Sequence, residues 1–219
     1  MRIQACIFDL DGVIVDTARF HFVAWRRMAN ALGFDFDEAR NERLKGVSRV
    51  GSMKLILQWG GISLSHAERE MWMQQKNEWY LEQVRGMGPQ DILEGALEFL
   101  EAAKSSGLQV ALGSASKNAQ LVLKQVGLAD FFSTVVDGTQ TTRSKPDPQV
   151  FQLGAERMNC ATDEVVVFED AFKGIEAAKN GNFMAVGIGE PEVLTNADLV
   201  WPNFIDRTIQ ELENAFAAS

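Results

Sequence analysis

Near its start the chain reads Ile7-Phe8-Asp9-Leu10-Asp11-Gly12-Val13, an apolar run that ends abruptly in two acids separated by one residue. Residues 3–8 are mostly apolar, which is typical of a buried parallel strand whose carboxyl end opens into a crevice of an α/β sheet. The two acids would point the same way because the residue between them takes the other side. Two such carboxylates repel each other by about 4 kcal/mol at about 4 Å and an effective dielectric of about 20. The pair therefore indicates Mg²⁺, and a solvated Asp-Gly turn is the alternative from this stretch alone.

The composition is that of an ordinary globular protein. Hydrophobic residues fill 46% of the 219 positions, so the chain can bury a full core in one large domain, or in a large and a small one. The formal net charge of -9 predicts that the protein binds neither nucleic acid nor an anionic membrane, since both need a basic surface. The two cysteines, Cys6 and Cys160, lie far apart, which favours a reduced chain in the cytoplasm. No apolar run approaches membrane-spanning length. We expect the protein to be a monomer.

The periodicity of the chain changes twice. Residues from about 16 to 84 show only helical periodicity, whereas helices and apolar strands alternate from residue 92 onward. This order predicts an α/β core domain, a doubly wound, Rossmann-like parallel sheet formed by residues 1–15 and 90–219. An all-α helical cap domain would be inserted at residues 16–89. Two chain crossings would then link the domains, and we expect hinge motion between them.

The first and last helices of the predicted cap carry candidate ligands. Thr17, His21 and Trp25 recur at four-residue intervals and share one helix face. From this pattern alone, His21 could be either a packed core residue or a residue that binds a ligand. Lys76 lies between two tryptophans on the aromatic face of a later helix, where its ammonium group would need an anion or would extend to solvent.

A tight turn in the cap resembles a phosphate site. Gly46 allows the turn, Ser48 is placed as the N-cap of a helix, and Arg49 lies in the first turn of that helix. The N-terminus of a helix and a guanidinium group together favour an anion. A capped helix with a solvated arginine is the alternative.

Three further polar clusters follow strands or open helices in the predicted core. The strand at residues 109–112 leads into the small-residue turn 113–118, whose N–H groups and hydroxyls could hold a phosphoryl group. Lys145 lies in the loop 143–148, whose two prolines fix the backbone and which leads into the helix that begins at Gln149. The buried strand at residues 165–168 ends in a second acid pair, Glu169 and Asp170.

In chain order these clusters supply an acid pair, a hydroxyl, a lysine and an acid pair. The order resembles the four motifs of the haloacid dehalogenase superfamily of phosphoryl-transfer enzymes, and the resemblance covers the whole chain. Within that superfamily the helical insertion is similar to the small cap of the β-phosphoglucomutase family. The positions that match this family are Thr17, His21, Trp25, residues 44–49, Ser52, Lys76 and residues 114–118.

The resemblance implies a role for each motif. Asp9 would be the nucleophile that becomes an aspartyl phosphate, and Asp11 would be the general acid and base. Ser114 and Lys145 would stabilise the transferring phosphoryl group. The resemblance assigns Mg²⁺ to the Asp9 carboxylate, the Asp11 backbone carbonyl, Glu169 and Asp170. It assigns substrate binding to Thr17, His21, Trp25, Gly46, Val47, Ser48, Arg49, Ser52, Lys76, Ala115, Ser116, Lys117 and Asn118.

The implied substrate is a small sugar phosphate. Arg49, Ser116, Lys117 and Asn118 would bind a second phosphate, while Lys76 and His21 would bind the sugar and the closed cap. The implied reaction interconverts β-glucose 1-phosphate and glucose 6-phosphate through β-glucose 1,6-bisphosphate.

Two other functions fit the motifs in part. In a sugar-phosphate or phosphoglycolate phosphatase of the same superfamily, water would take the phosphoryl group from Asp9. The turn at residues 46–49 and the pair Lys117 and Asn118 argue against it, because a simple phosphatase needs no second phosphate site. A receiver-type signalling module also uses an acceptor aspartate, Mg²⁺, a hydroxyl and a lysine, but it lacks the helical insertion and the second aspartate.

Overall fold

A computed structural model describes residues 3–217 of the chain. Its centre is a six-stranded, all-parallel sheet with the strand order β3-β2-β1-β4-β5-β6. The strands are β1 (Ala5–Phe8), β2 (Gln109–Gly113), β3 (Thr134–Val136), β4 (Val165–Glu169), β5 (Met184–Ile188) and β6 (Leu199–Trp201). The predicted doubly wound sheet is confirmed. From β1 the chain adds β2 and β3 on one side of the sheet and β4, β5 and β6 on the other. This change of direction creates a crevice at the carboxyl ends of β1 and its neighbours.

Helices cover both faces of the sheet because its strands are apolar on both sides. One cluster contains alternate residues such as Phe8 and Phe168, whose rings stack with centroids 4.5 Å apart, and the other contains Ile7 and Val167. The helices α5 (Ala96–Ser105), α6 (Ala119–Gln125) and α9 (Ile209–Ala217) pack on the first face. The helices α7 (Gln149–Met158) and α8 (Phe172–Asn180) pack on the second.

Helices and strands alternate from residue 92 onward in the sequence pattern, but the first helix of this part begins only at Ala96. A short 3₁₀ turn at Pro89–Asp91 and an extended segment precede it. Gly95 lies directly before the helix with φ +79°, and a Cβ atom there would come within 2.6 Å of the Phe204 backbone. The left-handed backbone at Gly95 and this close approach exclude an earlier start of the helix.

The remaining helices lie between β1 and α5, as the periodicity predicts. They are α1 (Ala18–Ala31), α2 (Glu38–Glu42), α3 (Arg49–Gly60) and α4 (His66–Val84). Ser48 caps α3 as predicted, and Ser65 with Glu68 forms a capping box at the start of α4. The helices α1, α3 and α4 share a hydrophobic cluster with the loop residue Phe36, and the cluster includes Trp25 and Met73. The domain boundaries at residues 16 and 89 stay a prediction.

The two chain crossings touch each other. Val15 forms isolated β-bridges with Asp11 on one side and with Ile92 on the other. The N–H group of Leu93 donates to the carbonyl of Ile14 at 2.9 Å, which joins the outgoing and returning segments. None of the helices within residues 3–217 has the length and apolar run needed to cross a membrane.

Candidate active site

A cavity of about 460 Å³ lies where the helical segment meets the carboxyl ends of the strands. Its wall contains residues of both parts of the chain. The predicted site residues that line it are Asp9, Asp11, His21, Trp25, Gly46, Val47, Ser48, Arg49, Ser52, Lys76, Ala115, Ser116, Lys117, Asn118, Lys145 and Asp170. Three further predicted residues, Thr17, Ser114 and Glu169, are buried and do not form part of the wall.

Three carboxylates gather at the ends of β1 and β4. Asp9, Glu169 and Asp170 each offer an oxygen atom within 4.8 Å of the others. The register of the sheet explains this, since Phe8 is paired with Phe168 and an acid follows each of them. Burial, partly offset by nearby cations, raises the pKa of Asp170 to about 7 and that of Glu169 well above its usual value. Crowded carboxylate oxygens of this kind suit a hard divalent cation, because a cation relieves their repulsion.

Two glycines let the surrounding chain approach these acids. A Cβ atom at Gly12 would lie 2.3 Å from Oδ2 of Asp170, and one at Gly174 would lie 1.6 Å from Oε1 of Glu169. Gly12 also has φ +86°, which favours glycine for a second reason. A side chain at either position would therefore displace one of the acids.

Lys145 completes the acidic cluster from the loop before α7. Its Nζ atom lies 2.5 Å from Oδ1 of Asp9 and 3.2 Å from Oε1 of Glu169. It also contacts the carbonyl of Gly113 at the end of β2, at 3.4 Å. Burial opposes the charge of Lys145, but the two carboxylates outweigh burial and hold the pKa of the ammonium group above its usual value. Lys145 is therefore a permanent positive charge beside Asp9.

Asp11 has a different environment from Asp9. Its N–H group donates to Oδ2 of Asp9 at 3.0 Å, and its carboxylate accepts a short hydrogen bond from the hydroxyl of Thr17. Burial and the charge of Asp9 raise the pKa of Asp11 to about 6. A carboxyl group with this pKa can both give and take a proton near neutral pH.

The turn after β2 is built from small residues that bond to one another. The hydroxyl of Ser114 accepts from the N–H group of Ser116 at 3.1 Å, and the hydroxyl of Ser116 accepts from the N–H group of Asn118 at 3.2 Å. These bonds hold the turn in shape and place Ser116, Lys117 and Asn118 on the cavity wall.

Lys76 is buried, so the extension to solvent that the sequence left open does not occur. Its Nζ atom lies 2.8 Å from Nδ1 of His21, and the Nε2 atom of His21 lies 3.9 Å from Oδ1 of Asp11. Burial and the charge of Arg49 lower the pKa of Lys76, and burial and the charge of Lys76 lower that of His21. His21 is therefore neutral near pH 7.

The neighbours of Lys76 differ from the prediction. Its Nζ atom lies 4.4 Å from the ring centroid of Trp25 and 5.1 Å from that of Tyr80, rather than between Trp72 and Trp79. Trp25 belongs to α1, which packs on α4 and contributes an aromatic ring that the pattern of α4 alone does not contain.

Two polar residues of the site, Asn77 and Lys45, have no role assigned from the sequence, although Lys45 lies within the matched stretch 44–49. Asn77 accepts hydrogen bonds from Arg49 at 2.7 Å and from Asn118 at 2.9 Å. Lys45 lies 3.5 Å from Oδ2 of Asp170 and 3.0 Å from Oε2 of Glu42. The contacts of Asn77 and the contact of Lys45 with Asp170 join elements distant in the sequence, and the sole signal for Asn77 was its place directly after Lys76.

Comparison with known proteins agrees with this geometry. A family model described as haloacid dehalogenase-like hydrolase matches residues 3–182. The chain is 37% identical to a β-phosphoglucomutase of Bacillus subtilis (strain 168), over 95% of this chain and 93% of the relative. It is 31% identical to a phosphorylated carbohydrates phosphatase of Thermotoga maritima, over 81% of each. A solved β-phosphoglucomutase structure from Clostridium difficile superposes with a TM-score of 0.95 at 36% identity, and covers 99% of this chain and 98% of its own.

Proposed function

Because this chain belongs to the haloacid dehalogenase-like hydrolases, we propose that it is a Mg²⁺-dependent β-phosphoglucomutase. It would interconvert β-glucose 1-phosphate and glucose 6-phosphate through an aspartyl phosphate at Asp9 and a bound β-glucose 1,6-bisphosphate. The similarity to two β-phosphoglucomutases, one known from its structure, supports the reaction class.

One observation carries the proposal, namely a set of unpaired cations on the cavity wall. Lys145 is paired with Asp9 and Glu169. Arg49, Lys76 and Lys117 line the same cavity, and within residues 3–217 none of these three forms an ion pair with a carboxylate. Lys117 is exposed, but Lys76 is buried and Arg49 is half-buried, so a counter-charge would offset the cost of burying these two positive charges. A substrate with a second phosphate would supply it, whereas the phosphoryl group at Asp9 already has Lys145.

The chemistry follows from the placement of the two aspartates. The Asp9 carboxylate attacks the phosphorus of the bisphosphate, the bond from phosphorus to the sugar oxygen breaks, and Asp11 gives its proton to that oxygen. When the C1 oxygen is the leaving group, this step releases glucose 6-phosphate. Asp11 then takes the proton of the C6 hydroxyl of an incoming β-glucose 1-phosphate, whose oxygen attacks the phosphorus on Asp9, and the bond from phosphorus to the Asp9 oxygen breaks. The bisphosphate formed in this way turns round in the site before the next transfer. Lys145 offsets the repulsion between the Asp9 carboxylate and the phosphate in both directions.

Mg²⁺ would be held by Asp9, Glu169 and Asp170, with the backbone carbonyl of Asp11 as a fourth ligand. The three carboxylate oxygens within 4.8 Å of one another fit the oxygen ligands that Mg²⁺ prefers. When bound, the ion supplies positive charge to the phosphoryl oxygens.

A second candidate is a sugar-phosphate phosphatase, in which water accepts the phosphoryl group of Asp9. The 31% identity to a phosphorylated carbohydrates phosphatase favours it. The family membership removes the receiver-type alternative. We further propose that the protein binds neither nucleic acid nor membrane, for which its net charge of -9 is the support, and that it acts in the cytoplasm as a monomer.

The experiment that separates mutase from phosphatase measures two products. Purified protein is supplied with β-glucose 1-phosphate, Mg²⁺ and a trace of β-glucose 1,6-bisphosphate. A mutase produces glucose 6-phosphate in large excess over free phosphate, whereas a phosphatase produces free phosphate and glucose. The Asp9→Asn variant, which lacks the nucleophile, is the control and should produce neither product.

A further inference from the structure

Asn77 lies at a junction of three elements. It belongs to α4, its partner Arg49 begins α3, and its other partner Asn118 directly precedes α6 of the core. A single oxygen, Oδ1 of Asn77, accepts from Nη2 of Arg49 at 2.7 Å and from Nδ2 of Asn118 at 2.9 Å. A carbonyl oxygen has two lone pairs, so it can satisfy both donors at once.

The neutrality of Asn77 matters for the charge of Arg49. Arg49 is half-buried, and burial lowers the pKa of its guanidinium group. A carboxylate at position 77 would hold the guanidinium equally well but would cancel its charge. An amide oxygen fixes the direction of the group and leaves its charge available to an anion in the cavity.

Asn77 itself does not line the cavity, whereas Arg49 and Asn118 do. It would therefore act on a ligand only through these two side chains. One of them comes from the helical segment and the other from the core, so Asn77 aligns the two halves of one anion site.

We propose that Asn77 is a positioning residue that sets the geometry of the second phosphate site by holding Arg49 against Asn118. This inference rests on the proposed function, because the second phosphate is that of the sugar bisphosphate. It assigns specificity for a doubly phosphorylated substrate to a residue that does not touch the substrate.

The test compares two variants of Asn77 with a control on the same helix. Asn77→Ala removes the acceptor, Asn77→Asp keeps the acceptor but adds a negative charge, and Gln75→Ala changes an exposed residue of α4. Steady-state kinetics give KM for β-glucose 1,6-bisphosphate and kcat. The order of the Arg49 side chain is followed by NMR relaxation of its Nε–H group, which is assigned by its loss in Arg49→Lys.

Each variant has a distinct expected result. Asn77→Ala should raise KM at least about tenfold, which corresponds to about 1.4 kcal/mol, with a much smaller change in kcat, and should mobilise Arg49. Asn77→Asp should raise KM as much or more while Arg49 stays ordered. Gln75→Ala should match the wild type in both measurements.

Three results would overturn the inference. First, the Arg49 side chain could stay as ordered in Asn77→Ala as it is in the wild type. Second, the KM of Asn77→Ala could equal that of Gln75→Ala. Third, the KM of Asn77→Asp could equal that of the wild type. If Asn77→Ala does not fold, Asn77→Asp decides alone by its KM and its Arg49 order.

The proposed function can fail separately. If the wild type releases free phosphate and no glucose 6-phosphate, the mutase proposal is wrong whatever the variants do. The order of Arg49 without ligand, and the affinity for glucose 6-phosphate measured by calorimetry, still test the inference because neither requires turnover. Wild-type values of both in Asn77→Ala would then reject it.

Discussion

Asp9 and Asp11 are the same residue type two positions apart, yet their surroundings give them different chemistry. Asp9 is in contact with the permanently charged Lys145. Asp11 has no cation at this distance within residues 3–217, and burial together with the charge of Asp9 raises its pKa to about 6. Asp9 is therefore suited to attack phosphorus as a carboxylate, and Asp11 is suited to carry a proton.

The raised pKa of Asp11 predicts a pH-dependent cost to folding. Because the folded protein binds this proton more tightly than the unfolded chain, the stabilisation from it is complete below about pH 4 and is lost as the pH rises to about 6. In EDTA at pH 8, Asp11→Asn should therefore exceed the wild type in unfolding free energy, by roughly 3 kcal/mol at most. Near pH 4 the two should agree. Urea unfolding at both pH values measures the difference.

The same substitution should slow turnover, which separates stability from catalysis. An amide cannot transfer the proton, a step worth about 10²–10⁴ in rate. A variant that turns over normally would contradict the acid and base role of Asp11. A difference in unfolding free energy that does not change between pH 4 and pH 8 would contradict its raised pKa.

At the scale of elements, the site depends on strands that end in register and on helices that approach them closely. The helix α8 begins two residues after Asp170, and its Gly174 lies against Glu169. The distance of 1.6 Å from a Cβ atom at this position to Oε1 of Glu169 leaves no room for a methyl group. Glu169 is 1% exposed and cannot move toward solvent.

We therefore expect Gly174→Ala to be destabilising although alanine is the better helix former. Overpacking of this kind costs about 1–3 kcal/mol, against a gain of about 1 kcal/mol in helix propensity. The displaced Glu169 should also weaken Mg²⁺ binding, measured by calorimetry. Gly86→Ala is the control, because the nearest atom to its Cβ would be 3.4 Å away. Unchanged Mg²⁺ affinity in Gly174→Ala would argue against Glu169 as a ligand.

The elements were predictable where local patterns determine them. The apolar runs of β1 and β4 and the cap at Ser48 lie where the sequence predicts them, since each depends on neighbouring residues. The surroundings of Lys76 were predicted wrongly, because they depend on how α1 packs against α4. Asn77 was missed for the same reason, since its partners lie 28 and 41 positions away.

At the scale of the whole molecule, the core gathers the carboxylates of the proposed metal site from separate segments. Asp9 follows β1, Glu169 ends β4, and Asp170 is held against Gly12 and Lys45. We expect EDTA to abolish activity and Mg²⁺ to restore it. Asp170→Ala should raise the Mg²⁺ concentration needed for half-maximal activity steeply, because an oxygen ligand is lost. Full activity in metal-free buffer would reject the phosphoryl-transfer mechanism.

Arg49 lies at the contact between the helical segment and the core, where we expect it to bind the second phosphate. Arg49 belongs to the helical segment, but its guanidinium meets Asn118 of the core through Asn77. It can bind a phosphate far from the reacting one with charge-assisted hydrogen bonds worth about 1.5–3 kcal/mol. Arg49→Ala should therefore slow the mutase reaction by at least about tenfold. Lys54→Ala, which removes an exposed cation from the same helix, is the control and should not.

Hydrolysis of acetyl phosphate distinguishes two reasons for a slower mutase reaction in Arg49→Ala, namely loss of the second phosphate site and failure to close the helical segment. This small donor has no second phosphate for Arg49 to bind, so its slow hydrolysis should fall far less than the mutase rate in Arg49→Ala. An equal fall of both activities would mean that Arg49 closes the helical segment over every substrate. Loss of neither would remove the second phosphate site, and the phosphatase would then be the better assignment, because the groups around Asp9 would suffice for all the chemistry observed.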